Sequence, residues 1–156
     1  MAGPITWRVA GMRTPATADG IVTGRVWLTL HGVDFPGSDW SDFPLSVLGS
    51  AVTAYAALRD GEPDAFSYIF DGSYFLYYRR TGAAEPTVHI EANCDEDEEN
   101  VYSIATGEVL LDDLRAALLD GLRVMRAQID GRPHTEEAVR GIDRQIGVLG
   151  HFVQES

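Results

Sequence analysis

Five consecutive carboxylates, Asp95, Glu96, Asp97, Glu98 and Glu99, directly follow the chain's only cysteine, Cys94. Three kinds of chemistry suit such a run: a metal site, a contact patch for a basic partner, or a hydrated loop. A calcium loop of the EF-hand type needs a glycine in mid-loop and a bidentate glutamate at its end. Counted from Asp95, those places fall on Asn100 and Thr106, so the pattern fails at both. Adjacent like charges stay hydrated unless something cationic neutralises them. The remaining readings are a solvated loop and a contact patch.

Other reactive residues lack companions. His89-x-Glu91 is half of a zinc-deaminase signature, but the P-C-x-x-C half is absent. Cys94 has anionic sequence neighbours, which oppose a reactive thiolate. No serine lies in G-x-S-x-G, and neither a P-loop nor a dinucleotide-binding glycine pattern occurs. All 12 basic residues are arginine, so no lysine can form a Schiff base or clamp a phosphate. The residues therefore nominate no catalytic group, no cofactor and no metal.

The charge balance narrows the partners. The net charge is −12. Residues 1–78 hold eight acids against four arginines, and residues 79–156 hold sixteen against eight. This disfavours a nucleic-acid backbone or an anionic membrane and would steer a cationic protein inward. No apolar stretch approaches the roughly 20 residues that span a bilayer. The start, MAGPITWRVAG, lacks the basic and apolar regions of a signal peptide. A lone cysteine suits a reducing, cytoplasmic setting.

The elements that must position these residues follow from periodicity. Residues 5–12 favour a strand. In residues 21–32, Val22, Val26, Leu28 and Leu30 share one face, and Thr23, Arg25, Trp27 and Thr29 the other. Residues 33–44 read as a loop entering a helix, with Asp42 as N-cap and Pro44 in the first turn. Leu45, Leu48, Val52, Tyr55 and Leu58 then recur at helical spacing up to Gly61. Asp71-Gly72 predicts a two-residue turn between aromatic strands over 65–70 and 73–80. Val88, Ile90 and Ala92 alternate with Thr87, His89 and Glu91, and 101–106 reads as a returning strand, so the acidic run is expected at a hairpin tip or in a longer loop between two strands. Leu111, Leu114, Leu118, Leu122, Met125 and Ile129 form one helix stripe. Thr135 opens a last helix with Ala138, Ile142, Ile146, Leu149 and Val153.

The expected fold is a single α+β domain over residues 1–156. Its order is β-β-α-β-β-β-(β)-α-α, an antiparallel sheet of about five or six strands with about three helices. The stretches WSDFPLSVLGSAVTAYAALRDG, FSYIFDGSYFLYYRR and VLLDDLRAALLDGLRVM resemble small domains of GC-rich bacteria that are similar in style to toxin-immunity proteins. The likeness covers roughly residues 20 to 130. It implies a non-enzymatic acidic protein that blocks a basic toxin domain, and it assigns no residue a role.

The leading expectation is a binding module that meets a basic protein through Glu91, Asp95, Glu96, Asp97, Glu98, Glu99, Tyr74 and Tyr78. Two alternatives stand beside it. One is a ligand-binding or enzymatic domain with a pocket between sheet and helices, using His89, Glu91 or tyrosines. The other is a homo-oligomeric subunit that pairs through its C-terminal helix.

Overall fold

A computed structural model describes residues 3–82 and 85–150. The chain runs β1 (Ile5–Arg13), β2 (Thr23–Leu30), β3 (Val33–Phe35), β4 (Ser41–Asp42), α1 (Pro44–Arg59), β5 (Asp64–Tyr68), β6 (Tyr74–Thr81), β7 (Thr87–Cys94), β8 (Tyr102–Leu110), α2 (Leu111–Ile129) and α3 (Glu136–Gly150). It is an α+β fold, and its strands divide into two antiparallel sheets. In the first, β2 pairs with β1 along one edge and with β3 and then β4 along the other. The second follows chain order, β5-β6-β7-β8.

The turns differ from their expected places. The tight two-residue turn joins β2 to β3 at His31 and Gly32, whose φ angles of 49° and 82° are those its backbone requires. Asp71-Gly72 sits instead in a wider connection over residues 70–73, because the Ile69 N–H still donates to the Tyr74 carbonyl at 3.3 Å. His31 also ties the two sheets, with its Nε2 at 2.9 Å from the Glu108 carbonyl oxygen.

One apolar core lies between the sheets and the helices. The predicted stripe of α2 enters it whole: Leu111, Leu114, Leu118, Leu122, Met125 and Ile129 are all buried. Each fully buried leucine contributes about 1.5–3 kcal/mol. Gly121 lets α2 approach β1 closely, since a Cβ there would stand 3.2 Å from the Trp7 Cβ. The apolar stripe of α3 is used within the chain, as Ile142 and Leu149 are fully buried in the same core. Val153 lies outside the described residues.

Asp42 is not the helix N-cap. Phe43 holds that place, with Pro44 at the first helical position. Asp42 is 5% exposed and its carboxylate joins the two sheets. Its Oδ1 accepts from the Phe43 N–H at 2.7 Å, and its Oδ2 accepts from the Trp40 indole N–H at 3.0 Å and the Asp71 N–H at 3.1 Å. Three donors on one buried carboxylate make it a clamp between β4 and the β5–β6 connection.

Candidate protein-binding surface

The register of the second sheet decides which aromatic rings face solvent. Leu76 lies between Tyr74 and Tyr78 on the inward face of β6, and Ser67 of β5 pairs with Leu76. The inward set of β5 is therefore Ala65 and Ser67, with Ile69 buried just beyond it, while Phe66 and Tyr68, and Phe70 after the strand, are about half exposed. An ordinary half-buried strand turns its apolar residues inward. Within β5 itself, the small Ala65 and Ser67 go in and the aromatic Phe66 and Tyr68 go out. Ser67 is accommodated because its hydroxyl shares a 2.7 Å hydrogen bond with the Tyr78 hydroxyl.

The outward face reads in rows across the four strands. Nearest the hairpin tip are Tyr68, Phe75, Asn93 (buried beneath its neighbours) and Ser103; next come Phe66, Tyr77, Glu91 and Thr106; then Asp64, Arg79, His89 and Glu108. Phe66 stacks at a tilt on Phe75 and Tyr77, with centroids 6.1 and 4.9 Å away. None of these four rings belongs to the core or packs at its margin. The Tyr77 hydroxyl donates to Asp64 at 3.1 Å. Partial desolvation and that hydrogen bond raise the phenol's pKa.

The acidic run follows β7 at the same end of the sheet, starting two residues beyond Asn93 of the first aromatic row. It is a closed turn. Asp97 accepts from the Glu99 N–H at 3.0 Å and from the Asn100 side-chain amide at 2.9 Å, and its carbonyl accepts from the Asn100 N–H at 3.0 Å. The Asn100 bond first, then that to Glu99, lowers the Asp97 pKa. The Asp95 N–H donates to the Ser73 carbonyl at 2.9 Å, which fastens the tip to the β5–β6 connection. Glu96, Asp97, Glu98 and Glu99 are exposed, Asp95 is half-buried, and Val101 and Tyr102 beside them are exposed as well. A hydrogen bond with the Cys94 side chain raises the Tyr102 pKa.

The expected site residues therefore separate. Glu91 joins the outward face beside Tyr77, and the five carboxylates form its acidic end. Tyr78 does not belong there: it is 1% exposed, and burial pushes its pKa up, offset in part by the bond with Ser67. Tyr74 also faces inward, half-buried, edge-on to Phe35 and Trp40 at 5.7 and 5.3 Å. The aromatic contribution comes instead from Phe66, Tyr68, Phe75 and Tyr77. Leu76 carried the sequence signal for this parity, because the only aliphatic residue in the aromatic run of β6 marks its core face.

The histidine and glutamate named for a pocket between sheet and helices lie elsewhere. His89 and Glu91, 3.7 Å apart, lie on the outward face and not between sheet and helices. Among the described residues, no group of three or more His, Cys, Asp or Glu side chains is placed to hold a metal ion. Cys94 is buried. Among the same residues, no helix is long and apolar enough to cross a membrane.

In comparisons with known proteins, no family model, no curated protein and no solved structure matches this chain.

Proposed function

We propose that this chain is an acidic protein-binding module of the cytoplasm whose second sheet receives a basic protein surface. One observation carries the reading: the outward set of β5 and β6 is aromatic where a solvated strand is polar, and the sheet register sets it beside the five-carboxylate tip. Exposed Phe66 and Tyr68 beside half-buried Phe75 and Tyr77 suit an interaction surface. Aromatic faces beside carboxylates suit arginine and lysine in particular. The rings attract the cation by about 0.5–1 kcal/mol at exposed sites, and the carboxylates pair with it. Charge sets the approach, and the rings act as anchors once water leaves.

An immunity or inhibitor protein that covers a basic toxin domain is the form of this function that the sequence resemblance favours. Such a protein needs no catalytic group and no cofactor.

The test uses an arginine-rich peptide as the cationic probe. Its affinity for the chain is measured at low and at moderate salt, and again after Asp95, Glu96, Asp97, Glu98 and Glu99 are all replaced by serine. The expected result is salt-sensitive binding that weakens at least tenfold in the serine variant. Equal affinity in the two proteins would refute the role of the run.

A further inference from the structure

The first sheet bears a half-open groove of about 540 Å³ on its outward side. That volume suits a small molecule, for which clefts of roughly 300–1,000 Å³ are usual. One extra residue in β1 builds the groove. Ala10 pairs with Arg25, and regular pairing would bring Met12 opposite Thr23; instead Arg13 takes that place. The bulge turns Met12 into the core and sets Arg13 on the same face as Arg25. Gly11, within the bulge, has a φ of 57°. A Cβ there would stand 2.7 Å from the Arg25 Nη2, so bare backbone is what gives that guanidinium its bed.

The two guanidiniums have donors to spare. Among the described residues, Arg25 pairs only with Asp39, at a long 3.9 Å, and Arg13 has no ion pair or hydrogen bond. The Thr23 and Ser41 hydroxyls line the groove beside them. The β5–β6 connection adds a charge of the other sign. Asp71 also lines the groove, and its exposed carboxylate has no partner among the described residues. The Asp42 carboxylate is already occupied by its three donors. A plain dianion would satisfy the arginines and be repelled by Asp71. A molecule that carries a carboxylate and an ammonium matches both.

We propose that this groove binds a small zwitterion of amino-acid type, its carboxylate on Arg13 and Arg25 and its ammonium toward Asp71. The arginine forks suit a carboxylate's two oxygens. Its arginines lie on the first sheet and Asp71 comes from the β5–β6 connection of the second, and the groove uses none of the side chains assigned to the protein-binding surface.

Titration with each standard free L-amino acid, followed by backbone amide shifts, tests the proposal. At least one is expected to bind with a Kd of about 1 mM or tighter, moving the amides of Gly11, Thr23, Arg25, Ser41 and Asp71. Its carboxamide and its N-acetyl derivative should each bind at least tenfold more weakly. Arg25→Ser and, separately, Arg13→Ser should weaken binding about tenfold with the far-UV spectrum and Tm unchanged, since both side chains are exposed. No amino acid binding at about 10 mM, an N-acetyl derivative that binds as well as its parent, or affinity indifferent to both arginine variants would overturn it.

Discussion

Replacing Asp42 by alanine should cost about 3 kcal/mol. The carboxylate is 5% exposed and accepts three hydrogen bonds. Hydrogen bonds to a charged group contribute about 1.5–3 kcal/mol each. Trp40 and Phe43 are only partly covered, so water recovers part of what their N–H groups lose, and the sum falls to about half of the simple total. For a domain of this size the loss corresponds to roughly 6–12 °C in Tm. Urea unfolding followed by tryptophan fluorescence measures it, with Trp40 as a reporter at the site. Asp42→Asn keeps one acceptor oxygen and turns an amide donor toward another donor, so it should lose about 1–2 kcal/mol. Asp39→Asn, which removes the charge of an exposed 3.9 Å pair and tolerates the φ of 60° at that position, should stay within about 0.5 kcal/mol. An Asp42→Ala protein within about 1 kcal/mol of the parent would refute the cross-sheet clamp.

Three further outcomes follow. Tyr78→Phe leaves the Ser67 hydroxyl without its partner and should cost about 1–2 kcal/mol in the same unfolding assay. The Tyr78 pKa is raised in the fold, so its contribution is complete below the unfolded value of about 10 and is lost as pH climbs from there toward the folded value; stability measured above that pH should fall less steeply in Tyr78→Phe than in the parent. Tyr55→Phe should be neutral or stabilising, because the buried Tyr55 hydroxyl has no hydrogen-bond partner among the described residues; thermal melting that drops would contradict this. Asp97→Ala should speed hydrogen exchange at the Glu99 amide, which the Asp97 side chain holds, and leave exchange in α2 unchanged.

Strong periodicity was legible from residues alone. The α2 stripe and the Val88, Ile90 and Ala92 alternation each repeat often enough to fix a buried face, and the acidic run falls at a hairpin tip as read. Short elements were not legible. β3 and β4 span three and two residues, too few to show a period, so the stretch between β2 and α1 reads as loop and two sheets read as one. Asp42 looked like a cap because its decisive partner, the Asp71 N–H, lies 29 positions away. The parity of β5 and β6 misled for a different reason. Rings occur on both parities of β6, so alternation alone could not show that Tyr74 and Tyr78 turn inward; on β5 the inward Ser67 is accommodated by its hydrogen bond with Tyr78. A local rule fails there at the surface proposed to bind.

Whether the tip and the rings form one surface is answered by a single titration. The arginine-rich peptide is added to isotopically labelled protein, and the backbone amides of residues 95–99 are followed together with the ring protons of Phe66, Tyr68, Phe75 and Tyr77. Both sets are expected to shift along one saturating curve with a common Kd. Tip amides that move while those four rings stay still would contradict it.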